Sequence, residues 1–285
     1  MDNISIYESF CAWVDLLGYG SAFYSCNWDI TNPSALNNLK RIQHLESFTT
    51  SICSPFYETL FALNDGFIRN FDIPPNNISC ILSWFIDVIR KFKAINEMDI
   101  QNGYCGARGV IAYGNRAQYR EINSLGKGDF IQTTADRKLE YNKKQIVLTP
   151  GELQMNTAFS KAYIIESGGH RSGLINNKLH IDESVLIKLA DVINKIGFDK
   201  FGLIEEDDDE SKWLVYKYTA TFCREDKSFF VKAICNDTEW DCFRIDFDNI
   251  VSYEDSRKSL TTHLYTPCKV YDSRYSPYDR DTIEL

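Results

Sequence analysis

Two carboxylates in this chain sit where acids can hold a divalent cation. Asp15 follows an apolar run, Phe10 to Val14, and precedes Leu16, Leu17, Gly18, Tyr19 and Gly20. The run reads as a buried strand. An acid at a strand end beside a glycine turn lets backbone N–H groups approach phosphate while the carboxylate binds a cation. Asp65 lies in Asn64-Asp65-Gly66, between two short apolar segments of the stretch Phe56 to Phe71, which is a hairpin signal. If that hairpin tip lies beside the end of the first strand, Asp15 and Asp65 form a pair of oxygen ligands suited to Mg²⁺ or Mn²⁺, ions that take one or two carboxylates together with substrate phosphates. Each acid also has a plainer reading, Asp15 as a solvated strand end and Asp65 as a turn-former.

The elements that must position these acids follow from periodicity. Leu36, Leu39, Ile42, Leu45 and Phe48 predict a helix over Ser34–Phe48, and Ile81, Leu82, Phe85, Val88, Ile89 and Phe92 predict another over Ile78–Ile95, with Trp84 widening its apolar face. A strand is expected over Tyr104–Tyr113, carrying Arg108, followed by a polar region at 115–142 read as loop, short helix and a flap over the site. A strand at 142–150, a helix over Glu152–Glu166 closed by Gly168-Gly169, a short edge strand Leu179–Asp182 and an amphipathic helix Ser184–Ile196 complete this part. Further on, three runs between Lys212 and Phe247 alternate like strands of a small sheet. The six consecutive acids from Glu205 to Glu210 read as a solvated loop, lacking the ligand spacing and central glycine of a calcium loop. The tyrosine-rich tail, Tyr265 to Leu285, is expected to wrap the surface or lie loose.

The 285 residues are 44% hydrophobic and 25% charged, enough for one large domain or a domain with an appendage. A net charge of −9 argues against a duplex-binding surface, so no nucleic acid partner is expected, while small nucleotides remain compatible. Nine scattered cysteines without a C-x-x-C pair read as core fillers in a reducing compartment rather than a zinc site or a disulfide framework. No signal peptide and no membrane span are read in the sequence, and a cytoplasmic location is expected.

Three stretches in order, VDLLGYGS at Val14–Ser21, NDG at Asn64–Gly66 and RGVIAYG at Arg108–Gly114, resemble the catalytic domain of class III nucleotidyl cyclases. Within that family they look most like the stand-alone bacterial pyrimidine cyclases of Pycsar anti-phage defence. The match covers about the first 185 residues. It implies an α+β, ferredoxin-like cyclase domain over residues 1–183, with a small C-terminal α+β extension over 184–285.

The resemblance also implies a mechanism. Two Mg²⁺ or Mn²⁺ ions held by Asp15, Asp65 and the Leu16 carbonyl grip a nucleoside triphosphate, the backbone of Leu17, Gly18, Tyr19 and Gly20 cradles phosphate, and the ribose 3′ oxygen attacks the α-phosphorus as pyrophosphate leaves. Sites between two protomers, and so a homodimer, are expected. The family's helix carries an Asn that orients the ribose and an Arg that stabilises the leaving triphosphate charge. With Ile165-Glu166 aligned on the family's Leu-Glu pair, these positions fall here on Ser160 and Ile164, and isoleucine cannot bind phosphate. Asn156, Lys161, His170 or Arg171 would have to substitute. Adenine-reading members carry a Lys four residues before the hairpin acid. Phe61 stands there, which disfavours an adenine pocket and shrinks the site toward UTP or CTP. Arg108 is read equally as a base or phosphate contact and as a structural anchor. The alternatives are a purine cyclase in ordinary signalling and a non-catalytic member that binds a nucleotide or a partner.

Overall fold

The structure, a computed structural model, describes residues 4–50, 58–118, 153, 155–203, 212–274, 278 and 280–285. The chain is α+β, and its described strands join in one eleven-stranded sheet.

Strand β1 (Ser5–Leu16) runs through Asp15 rather than stopping at it, and pairs antiparallel with β3 (Gly66–Asp72) on one side and β4 (Ala107–Gln118) on the other. Its side chains alternate between two cores. Phe10, Ala12, Val14 and Leu16 join one core, with Ile81, Leu82, Phe85, Val88, Ile89 and Phe92 of α3 (Ile78–Gln101). The rings interlock there: Phe10 meets Phe85 edge-on at 5.1 Å and Phe71 stacks on Trp84 at 5.2 Å, so Trp84 is core. Each such fully buried large side chain contributes about 1.5–3 kcal/mol. On the opposite face Cys11 and Trp13 of β1, with Ile68, Val110 and Ala112, pack under Ala158, Ala162 and Ile165 of α4 (Thr157–Gly168).

The expected helices form, with shifted ends. The first predicted helix is α2 (Pro33–Thr50), preceded by an unforeseen short helix, α1 (Ser21–Ser25). The helix expected from Glu152 begins at Thr157, because the Asn156 side chain caps it by accepting from Phe159 N at 2.9 Å. Gly114 allows that helix to press on β4, since a Cβ there would lie 2.5 Å from Ala158 N. The expected strand at 142–150, most of the polar flap region and the acidic run 205–210 lie outside the described residues.

The sheet order is β2-β3-β1-β4-β5-β10-β9-β8-β7-β6, with β2 (Glu58–Leu63) at one edge and β11 (Asp281–Glu284) pairing with β10 (Leu260–Asp272). Strand β5 (Leu179–Asp182) is not the edge strand its polar residues suggest. It lies between β4 and β10 with all four residues buried, because His180 and Asp182 have partners inside. The tail is likewise not loose: Tyr265–Asp272 is the second half of β10, and Asp281–Glu284 is a strand. The three expected C-terminal strands are β7 (Lys212–Cys223), β8 (Ser228–Cys235) and β9 (Thr238–Asp255), joined at the far edge by β6 (Phe198–Leu203).

The expected division at residue 183 falls at the start of α5 (Glu183–Ile196), which Asp182 caps, and the sheet runs through that point unbroken. Asp199 of β6 reaches back to the N-terminus of α3, accepting from Ile78 N at 3.1 Å and Ser79 N at 2.8 Å. No helix among the described residues is long and apolar enough to cross a membrane.

Candidate active site

The hairpin β2–β3 turns at Asn64 and Asp65, with Asn64 in the left-handed region at φ 53°. The β1–β3 register places Gly66 opposite Asp15, and Leu16 N donates to the Asp65 carbonyl at 3.0 Å. The two acids therefore share one end of the sheet. Gly66 is required there: a Cβ would lie 2.5 Å from the Trp13 ring and 2.7 Å from the Val14 carbonyl, closing the approach of the hairpin to β1.

Asp15 is half-buried, and its carboxyl is pushed up to about 8, first by burial and then by the charges of Asp65 and Glu166. Arg108 and Arg41 pull the other way without prevailing. Among the described residues no hydrogen-bond donor meets the Asp15 carboxylate, whereas Asp65 accepts from Asn64 Nδ2 at 2.6 Å. An unpartnered carboxylate held against a second one fits a divalent cation, the group that would relieve both desolvation and repulsion. Among the described residues no group of three or more His, Cys, Asp or Glu could hold a metal ion, so the remaining ligands of such a cation would be backbone, phosphate or water.

The turn after β1 is braced from behind. Leu17 N donates to the Gly106 carbonyl at 2.9 Å, and the Leu17 carbonyl accepts from Arg41 at 3.0 Å. Arg41 is buried and pairs with Asp99 through two bonds of 2.7 Å, and Asp99 also accepts from Gly106 N at 3.0 Å. This brace, which periodicity does not reveal, ties α2, α3 and the start of β4 to the turn. Tyr19 is buried, with its carbonyl held by Asn38 at 2.8 Å. The N–H groups of Gly18, Tyr19 and Gly20 find no acceptor among the described residues, whereas that of Leu17 is committed to Gly106. Three of the four expected cradle donors thus have no acceptor among the described residues.

Of the two readings of Arg108, the geometry matches the anchor. Its Nε donates to Glu166 Oε1 at 3.0 Å and its Nη2 to the same oxygen and to the Glu166 carbonyl. Glu166 also accepts from Trp13 Nε1 at 3.4 Å. All three residues are buried. Glu166 served only as a landmark in the sequence, yet Ala158, Ala162 and Glu166 form an i, i+4, i+8 row, which places this acid on the helix face toward the sheet and requires a positive partner there.

The remaining candidates separate. Phe61 of β2 is half-buried, pairs with Ile68 and packs with Trp13 on the α4 face. Ser160 is exposed and its hydroxyl returns to the Asn156 carbonyl at 2.9 Å. Lys161 reaches away from the acids: its ammonium donates to Asp182 at 2.8 Å, Ser184 Oγ at 3.1 Å and the Tyr113 carbonyl at 3.1 Å, which occupies all three donors. Tyr113 lies five positions along β4 from Arg108, roughly 16 Å at strand rise, so within one protomer Lys161 is not beside Asp15. Asn156 is committed as a helix cap and to Asn70 at 2.7 Å. His170 and Arg171 lie exposed just past α4 in a 3-10 turn (Gly169–Ser172), at the end where Gly169 adjoins the Arg108 guanidinium.

No family model matches the chain, and no curated protein matches it. Among solved structures it is similar to the guanylyl cyclase Cya2, at 10% identity and a TM-score of 0.43, covering 93% of each chain. It is also similar to the dimeric guanylyl cyclase domain of the RhoGC fusion protein from the aquatic fungus Blastocladiella emersonii, at 13% identity and a TM-score of 0.33, covering 75% of this chain and 97% of that one. The catalytic core of a rhodopsin-guanylyl cyclase with converted specificity, in complex with ATPalphaS, is similar at 12% identity and a TM-score of 0.34, covering 75% and 97%. An overlap this loose leaves the site to be read from its own geometry.

Proposed function

We propose that this chain is a divalent-cation-dependent nucleotidyl cyclase that closes a nucleoside triphosphate to the 3′,5′-cyclic monophosphate and releases pyrophosphate. The observation that carries the reading is the meeting of Asp15 and Asp65 at one end of the sheet, with Asp15 unpartnered and its carboxyl raised. Asp15 and Asp65, with the adjacent Leu16 carbonyl, would hold two Mg²⁺ or Mn²⁺ ions. Bound there, such ions supply Lewis acidity toward the ribose 3′ hydroxyl and charge compensation for the leaving pyrophosphate. The open N–H groups of Gly18, Tyr19 and Gly20 orient the phosphates, and the Arg41–Asp99 brace fixes the turn that presents them. His170 and Arg171 are the exposed side chains just past α4, at the end nearer the acids, that would meet the triphosphate.

The substrate in this reading is a pyrimidine nucleoside triphosphate, UTP or CTP, supported by Phe61 in place of a base-reading lysine. The product is a second messenger in anti-phage defence, and the sites lie between two protomers of a homodimer. Incubation of the full chain with Mn²⁺ and each of ATP, GTP, CTP and UTP tests the reading. A cyclic product from UTP or CTP is expected. Product from ATP or GTP alone rejects the pyrimidine assignment, and no product from any of the four rejects turnover. Ile164 at the family's arginine position favours a second reading, nucleotide binding without turnover, for which calorimetry would show Asp15-independent binding and no product.

A further inference from the structure

In the β1–β4 register Asp15 lies directly opposite Arg108, and both side chains are on the α4 face. Directly opposed cross-strand residues have Cβ atoms roughly 5 Å apart, and an opposite-charge pair there ordinarily closes into an ion pair. No ion pair joins these two. The Arg108 guanidinium is instead drawn toward α4, where Glu166 takes it through its carboxylate and its main-chain carbonyl, and Trp13 holds the other carboxylate oxygen. We infer that Glu166 is a positioning residue that keeps the Arg108 guanidinium off Asp15, leaving the acid pair open to a cation.

The inference rests on Asp15 and Asp65 being the cation-holding pair. Arg108 is buried, so it cannot go without a counter-charge. Deprived of Glu166, its nearest acid across the strand is Asp15. Formation of that pair would fill the position of the cation with a fixed positive charge, and any divalent ion would then have to displace it. Trp13 couples the same carboxylate to the hairpin, because its ring packs over Gly66, next to Asp65. Glu166 thus touches the supports of both acids without touching either.

The test is calorimetric titration of Mn²⁺ into the metal-free full chain, without nucleotide. The wild type should bind Mn²⁺, and Asp15→Asn should not. Glu166→Gln, which keeps the shape and removes the charge, should weaken Mn²⁺ binding about tenfold or more, the scale of a single ion pair. Glu166→Gln combined with Arg108→Met should restore binding to within about threefold of wild type, because the competing cation is gone. A merely structural role gives the opposite order, with the double variant no better than the single. Unchanged Mn²⁺ affinity in Glu166→Gln, or no recovery in the double variant, overturns the inference while leaving the cation site intact. Absence of Asp15-dependent binding in the wild type overturns both. Should Glu166→Gln fail to fold, Glu166→Asp withdraws the charge by one methylene and should give the same order in smaller steps. Equal affinities in Glu166→Asp with and without Arg108→Met then overturn the inference.

Discussion

Asp15→Asn should stabilise the metal-free protein at pH 8 while removing its response to cations. The wild-type carboxyl titrates near 8 in the fold and near 3.8 in the unfolded chain, with burial as the largest cause and the Asp65 charge next. The native state therefore holds a proton that the unfolded chain releases, and wild-type stability falls as the pH rises from about 4 to about 8. The full shift corresponds to roughly 6 kcal/mol at 1.36 kcal/mol per pH unit. Asp15 still touches water, so solvent screens part of this and about 2–3 kcal/mol is expected. Asn has the same shape and no charge. Metal-free Asp15→Asn should thus melt about 4–8 °C above wild type at pH 8, and the gap should close toward pH 4.5, where the wild-type acid is protonated in the fold. Mn²⁺ should raise the melting temperature of the wild type and leave that of Asp15→Asn unmoved. Scanning calorimetry at the two pH values, with and without Mn²⁺, decides the matter. An Asp15→Asn protein less stable than wild type at pH 8, or a gap independent of pH, would refute the claim that the two acids oppose each other in one desolvated site.

Asp65→Asn should lower turnover by about two orders of magnitude or more in the four-nucleotide assay, with far-UV circular dichroism unchanged, since Asn preserves the turn. His180 is buried and pushed down to about 4 from its ordinary 6.5, chiefly through desolvation, so its own contribution to stability should fall by about 3 kcal/mol as the pH drops from about 6.5 to 4, against the opposite trend set by Asp15; urea titrations should show it as a difference of that size between wild type and His180→Gln that opens over this range. Asn156→Ala removes the cap of α4 and the partner of Asn70, and should cost about 2 kcal/mol in the same urea titration, against no measurable change for exposed Ser160→Ala. Phe61→Lys should raise the yield of cyclic product from ATP relative to UTP and CTP, and an unchanged ratio would detach Phe61 from base choice.

The acids were legible because local chemistry marks them. An Asn-Asp-Gly turn between apolar runs dictates a hairpin whatever lies around it, and an acid between an apolar strand and a glycine turn has few buried alternatives. Apart from the five-residue helix α1, too short to show a period, the strands and helices of residues 5–118 were legible for the same reason, since period 2 and period 3.6 are properties of short segments. What stayed hidden was non-local. Strand β5 is four residues long, and its His180 and Asp182 make it read as half-exposed; partners such as Thr266, Lys161 and Ser184 make burial possible, and all three lie in other elements, β10, α4 and α5. In β10 the ladder slips around Pro267, a residue that argues against a central strand wherever no bulge can be foreseen. The register shift absorbs it, and the strand then joins β5 to β9, so that one sheet extends from the acid pair into the C-terminal region.

The pairings that the sequence concealed share one property: each is a charge satisfied by an element distant in the chain. Arg41 answers Asp99, and Arg108 answers Glu166. A charge within an apolar pattern reads as noise until its counter-charge is placed, because burial of either member alone costs more than the fold can bear. Once both are placed, the logic of the site changes. Asp15 is the acid here with no dedicated partner, although an arginine stands directly across the ladder from it, and the nearest guanidinium groups are both committed elsewhere. A fold that provides counter-charges for Asp99 and Glu166 but, among the described residues, no donor for the Asp15 carboxylate supports the proposal that a cation sits at the end of the sheet shared by Asp15 and Asp65.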